Sequence, residues 1–119
     1  MYTISKQFAF SAAHHLHGLR PDHPCSRPHG HNYIVEVVLA CPVLDNTGFV
    51  VDYNDLAPLK QYIDGTLDHH DLNEVLAPMQ TSAENLARHL YEWCRDRWPQ
   101  VVAVRVSETP KTWAEYRPL

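Results

Sequence analysis

Little in this chain of 119 residues points to a membrane, a nucleic acid or an oxidising compartment. No apolar run approaches the roughly 20 residues of a membrane-spanning helix. The opening Met1-Tyr2-Thr3-Ile4-Ser5-Lys6 has no signal-peptide layout. Positive charge is in short supply: 10 Lys and Arg against 14 Asp and Glu leave a net charge of −4. Such a balance gives no reason to expect nucleic acid or anionic lipid as a partner. Three cysteines, an odd number without framework spacing, agree with a reducing compartment. The expectation is a cytoplasmic protein with no nucleic-acid and no membrane partner. Internal repeats and low-complexity segments are also missing. The length suits one domain, residues 1–119, with a real core but about a third of its surface unburied.

Histidine is what the chain has in quantity. Six of the nine lie between residues 14 and 31: His14, His15, His17, His23, His29 and His31. The densest stretch is Cys25-Ser26-Arg27-Pro28-His29-Gly30-His31-Asn32, and it runs into Tyr33-Ile34-Val35-Glu36-Val37-Val38-Leu39, a strong strand signal. His29 and His31 therefore begin a strand, where residues two apart point to one face about 7 Å from each other. Two imidazoles so placed can converge on an ion held about 2.0–2.1 Å from each nitrogen. Gly30 between them adds no bulk. A third ligand is available from the run Phe8-Ala9-Phe10-Ser11-Ala12-Ala13-His14, which reads as a strand delivering His14 or His15 at its end. This chemistry suits zinc.

Patterning supplies the rest of the architecture. Strand one covers residues 2–10, a loop 16–28, and strand two about 29–41. A turn at Pro42–Gly48 leads to a helix over 55–64, capped by Asp52 or Asn54 and ended by Gly65. Leu67 to Asn73 reads as a polar loop. Ser82 caps a second helix over 83–97, whose buried stripe is Leu86, Leu90 and Trp93. Strands at 101–107 and 112–117 complete the order ββααββ. That order predicts an α+β fold: an antiparallel four-stranded sheet with two helices on one face. Strand two is apolar on both faces except at Glu36, and one small domain covers only one of them, which hints at oligomerisation.

Of the cysteines, Cys41 and Cys94 read as small buried hydrophobes. Cys25 lies in a polar loop beside Arg27, and two roles stay open for it: a fourth ligand closing a structural zinc site, or a base or nucleophile beside an open one. Asp68-His69 is the arrangement by which a carboxylate polarises an imidazole for proton transfer, although solvated charges in a loop look the same. Glu108, ending strand three, can accept two parallel hydrogen bonds from an amino-and-imino edge such as that of guanine or a pterin. A solvated glutamate is the commoner occupant of such a place. His15, His17, His23 and His89 read as surface or loop residues.

Taken in order, Phe10-Ser11-Ala12-Ala13-His14, Cys25-x3-His29-Gly30-His31-Asn32, Leu67-Asp68-His69 and Ser107-Glu108-Thr109 resemble the 6-pyruvoyl-tetrahydropterin synthase family. The resemblance runs over nearly the whole chain and is nearest to the 6-carboxytetrahydropterin synthase branch of queuosine biosynthesis. It implies the tunnelling fold, with three subunits closing a twelve-stranded barrel, two trimers stacking as a homo-hexamer, and active sites at subunit interfaces. It also implies Zn2+ on His14, His29 and His31, catalytic roles for Cys25, Asp68 and His69, and Glu108 as the anchor of the pterin ring. The expected substrate is 7,8-dihydroneopterin triphosphate, with Arg20, Arg27 and Lys111 as candidate triphosphate partners. The four-residue step from Cys25 to His29 resembles the carboxy branch, the pyruvoyl branch typically having a longer spacer. Other readings are pyruvoyl-branch activity without side-chain cleavage, and a non-catalytic zinc module closed by Cys25. One departure is Thr81-Ser82-Ala83-Glu84, where relatives show Pro-Thr-x-Glu.

Overall fold

The computed structural model describes residues 1–119 and has four strands in the sheet order β1-β2-β3-β4, every neighbouring pair antiparallel. β1 is Tyr2–His14, β2 His29–Cys41, β3 Val101–Thr109 and β4 Thr112–Tyr116. Between β2 and β3 lie α1 (Ala57–Tyr62), a short α2 (Leu72–Val75) and α3 (Ala83–Arg95). The ββααββ layout is the expected one, with α2 an extra turn inside what reads as a polar loop.

Two-residue periodicity sets which side chains enter the core. On β1, Phe8, Phe10, Ala12 and His14 are buried; on β2, Tyr33, Val35, Val37 and Leu39 are. β1 runs to His14 and not to residue 10, because its last residues pair with the start of β2: Ala12 opposite His31, and His14 opposite His29. The β2–β3 ladder slips by one residue between Val38 and Leu39, around Val102. The slip resets the alternation, so Val101 faces inward together with Val104 and Val106.

The helices cover the inward face. α3 is capped by Ser82, whose Oγ accepts from Asn85 N–H at 3.2 Å, and buries Ala83, Leu86, Ala87, Leu90 and Cys94. Trp93 is not part of that buried stripe. It is partly exposed, stacked on Tyr62 at 4.8 Å with the Arg97 guanidinium 3.5 Å from its ring centre. Gly65 does not end α1. The helix widens instead into a π turn over Ile63–Leu67, closed by Asp68 N–H donating to Ile63 O at 2.8 Å. The wider turn buries both Ile63 and Leu67 and places Asp68 beside β1.

Cys94 is buried, which pushes its thiol up to about 12. Cys41 departs from the expectation: it is half-buried at the end of β2, and its thiol donates to Val43 O at 3.0 Å. His89 is likewise half-buried and not a surface residue, its Nε2 2.7 Å from the Tyr62 hydroxyl. The other face of the sheet has no helix over it. Glu36, its polar interruption on β2, pairs with Arg105 on β3 at 3.0 Å. The radius of gyration, 15.4 Å, exceeds the roughly 13.5 Å of a compact chain of this length. The long β1–β2 hairpin therefore projects past the core that the helices enclose.

Candidate active site

The end of the inward face carries imidazoles where the rest carries apolar side chains. His14 continues the series Phe8, Phe10, Ala12, and His29 and His31 continue Tyr33 and Val35 outward along β2. One nitrogen from each of His14, His29 and His31 lies within 4.8 Å of the others. His15, one residue on, has the opposite parity, and both its N–H and its carbonyl are held by the Asn73 side chain at 2.9 Å.

Hydrogen bonds at the far ring nitrogens settle which atoms face the centre. His14 Nδ1 is 2.8 Å from Thr81 O, and His29 Nδ1 is 2.7 Å from Arg27 O. A carbonyl only accepts, so both rings carry their proton on Nδ1 and present an Nε2 lone pair. Burial lowers the pKa of His14, against a raising contribution from Thr81, so its imidazole stays neutral as a ligand must. Two imidazoles oriented by carbonyls, with His31 beside them, fit zinc, whose histidine ligands are commonly fixed this way, and three ligands leave a fourth position for substrate. Thr81 had no signal of its own in the sequence beyond its place before the α3 cap.

Cys25 lies outside this group. It sits half-buried in a short 3-10 turn, Pro24–Ser26, its N–H donating to His23 Nδ1 at 3.0 Å and its carbonyl accepting from Leu16 N–H at 2.7 Å. Its Sγ has no hydrogen bond within the chain.

Glu108 does reach the group. Its Oε2 stands 3.8 Å from His14 Nε2 and 3.7 Å from His31 Nε2, buried and without a hydrogen-bond partner. The register slips by one residue between Val106 and Thr109 against β4. Glu108 thus lies in a β-bulge, a device that re-aims side chains next to functional sites. On its other side Glu108 lines a groove of about 320 Å³ with Thr112 and Trp113. Tyr33 is fully buried nearby, its phenol pKa raised by burial first and by the Glu108 charge second.

The Asp68–His69 pair sits across the free edge of β1. Asp68 Oδ2 is 2.8 Å from His69 Nδ1, while Oδ1 accepts from Ser11 N–H at 2.8 Å. His69 N–H returns a bond to Ser11 O at 2.6 Å, so one strand residue holds both. The Ser11 N–H, then His69, lower the pKa of Asp68 below the ordinary carboxylate range. His69 has φ +60°, a left-handed conformation uncommon for a side chain with Cβ. Its ring is 82% exposed. A cavity of about 510 Å³ is lined by His69, His70 and Ser11 together with His31. It shares no residue with the Glu108 groove. Arg20, Arg27 and Lys111 are all exposed.

Fold and site together define a tunnelling-fold protein with a trihistidine centre at one end of its sheet. The family model for 6-pyruvoyl tetrahydropterin synthase matches residues 3–118, and the chain belongs to that family of pterin synthases. A protein of Archaeoglobus fulgidus named putative 6-carboxy-5,6,7,8-tetrahydropterin synthase is 36% identical over 92% of this chain and 90% of its own. The 6-carboxy-5,6,7,8-tetrahydropterin synthase of Bacillus subtilis is 31% identical over 98% of this chain and 86% of its own. Among solved structures, the Caenorhabditis elegans 6-pyruvoyl tetrahydropterin synthase superposes with a TM-score of 0.86 at 28% identity, covering 99% of this chain and 96% of that one.

Proposed function

We propose that this protein converts 7,8-dihydroneopterin triphosphate into 6-carboxy-5,6,7,8-tetrahydropterin, releasing acetaldehyde and triphosphate, in queuosine or related 7-deazapurine synthesis. The reading rests foremost on the trihistidine centre with Glu108 beside it, set in a chain whose relatives in A. fulgidus and B. subtilis bear the carboxy-synthase name. The balance takes up one water: the three side-chain carbons become one carboxyl carbon, whose second oxygen comes from that water, and a two-carbon aldehyde.

His14, His29 and His31 would hold Zn2+. When bound, zinc supplies Lewis-acid polarisation of the side-chain oxygens and acidifies the neighbouring C–H. Cys25, outside the trihistidine cluster and with no hydrogen bond at Sγ, is the base that takes that proton. His69 hands protons to and from the hydroxyls through Nε2, since Asp68 fixes its proton on Nδ1. Glu108 accepts the paired N–H donors of the pterin ring, a recognition a neutral side chain makes less strongly.

His69 and Glu108 line cavities with no residue in common, and β1 and β4 are the outer strands of the sheet. A second chain placed edge to edge with this sheet would bring such groups together, which supports a homo-hexamer built as a dimer of trimers. The decisive experiment is incubation with 7,8-dihydroneopterin triphosphate, mass spectrometry of the pterin and a coupled alcohol dehydrogenase readout of acetaldehyde. Both the carboxylated pterin and the aldehyde are expected. Steady triphosphate release with no aldehyde and an intact three-carbon side chain would replace this reading by the pyruvoyl one, the name carried by the C. elegans structure.

A further inference from the structure

The chain has two buried side-chain oxygens without any hydrogen-bond partner, Tyr33 Oη and Glu108 Oε2. They belong to one place. Tyr33 is 0% exposed, its ring stacked on Phe10 at 4.8 Å and edge-on to His31 at 5.5 Å and His14 at 6.0 Å. Glu108 Oε2 lies 3.7 Å and 3.8 Å from Nε2 of the same two imidazoles. The last pair of the β2–β3 ladder is Ile34 opposite Ser107, so one further step in that register sets Tyr33 opposite Glu108. Cross-strand neighbours have Cβ atoms about 4.5–5.5 Å apart, within easy reach of two long side chains.

Chemically the two are complementary. A neutral phenol is a donor and an ionised carboxylate only accepts. Leaving both unpaired in a buried site is unfavourable, and one water between them would satisfy both. Glu108 also needs a fixed orientation from somewhere. It comes off a bulge, where the ladder hydrogen bonds that would set its backbone are interrupted. The hydroxyl is not needed for packing, since phenylalanine would stack on Phe10 equally well.

We propose that Tyr33 is a positioning residue: its phenol O–H reaches Glu108 Oε2 through one bridging water and so fixes the carboxylate that reads the pterin ring. Oε2 has lone pairs for both the bridging water and the ring. The inference rests on Glu108 being the pterin anchor.

The test compares full-length, zinc-loaded wild type with Tyr33→Phe, Glu108→Gln and the double variant. Each is titrated with 7,8-dihydroneopterin by ring fluorescence, and each is unfolded in urea without ligand. Tyr33→Phe is expected to keep its zinc and to weaken pterin binding about tenfold, the worth of one hydrogen bond to a charged group. KM should rise with kcat little changed. The double variant should bind no more weakly than Glu108→Gln alone, because Tyr33 acts through that carboxylate. Wild-type affinity in Tyr33→Phe, or losses that multiply in the double variant, would overturn the proposal. If the wild type binds no pterin, the anchor reading itself fails. The urea midpoints still decide the contact in that case: changes that simply add show that Tyr33 and Glu108 do not interact.

Discussion

Asp68→Asn separates an acid–base pair from a solvated one with a single atom exchanged. In the wild type, Asp68 Oδ1 accepts from Ser11 N–H and Oδ2 faces His69 Nδ1, both at 2.8 Å. The Ser11 N–H is a fixed donor on β1, so the one oxygen of an asparagine must stay with it. The amide NH2 then faces His69 Nδ1. That nitrogen can only respond by becoming an acceptor, which moves the ring proton to Nε2 and removes the lone pair that takes protons from substrate. The loop should keep its position, since the Ser11 contacts survive, including the bond from His69 N–H to Ser11 O.

Removing a general acid–base contribution costs about 10²–10⁴-fold in rate, and a reversed imidazole tautomer sits at the upper end. The exposure decides between the limits. With its ring 82% exposed in the single chain, His69 can recruit water at Nδ1, which places the loss near 10²-fold. If a neighbouring subunit covers the ring, the loss moves towards 10⁴-fold. Steady-state triphosphate release with metal content measured in parallel is the assay. Asp68 is held ionised below the ordinary carboxylate range, so the wild-type acid limb should not be set by this residue. Turnover of Asp68→Asn within threefold of wild type, with zinc intact, would refute the pairing argument.

Further expectations follow from the same geometry. His29→Ala should abolish stoichiometric zinc, whereas Cys25→Ala should keep close to one zinc per chain and lose turnover; metal analysis beside activity checks both, and metal loss in Cys25→Ala would favour the structural module. Light scattering should give six chains per particle, and a stable monomer at micromolar concentration would remove the interface active site. Burial lowers the pKa of His89 from 6.5, opposed by Glu92 on its own helix, with Tyr62 of α1 at its Nε2. The unfolded chain therefore takes up this proton first as pH falls from about 6.5, and stability present above that pH is lost through the folded value. The thermal midpoint of the metal-loaded protein should drop between pH 7.5 and 5.5, and less so in His89→Gln.

What the sequence could reveal is what short-range periodicity encodes. His29 and His31 share a face because they stand two apart on a strand, and that is visible in eight residues. Choosing His14 over His15 needed the extent of β1: ended at residue 10 it leaves both open, whereas carried to His14 the parity of Phe8, Phe10 and Ala12 selects the first. Cys41 and Trp93 misled for a related reason, since each lies in an apolar pattern but at its margin, where the covering layer stops. The bulge at Glu108, the π turn before Asp68 and the Thr81 carbonyl behind His14 have no local signature. Each is fixed by a partner far along the chain, as with Ser11 and Asp68, 57 residues apart.

The same distinction explains why the trihistidine cluster is complete within one chain while the groups of the proposed reaction are not brought together. Ligands two apart on paired strands are positioned by the β1–β2 ladder alone, so a single subunit suffices to present three nitrogens within 4.8 Å. Proton transfer and ring recognition draw on a loop across one sheet edge and a bulge near the other, which open into separate cavities. No rearrangement within a four-stranded sheet merges those two edges, but a neighbouring sheet placed edge to edge would set one beside the other. Ile34 and Ala40, apolar residues of β2 on the face away from the helices, are only half-buried in the single chain, with Val38 buried between them. An edge-to-edge closure of neighbouring sheets would turn this face inward, which makes these residues the sequence-level trace of the proposed assembly.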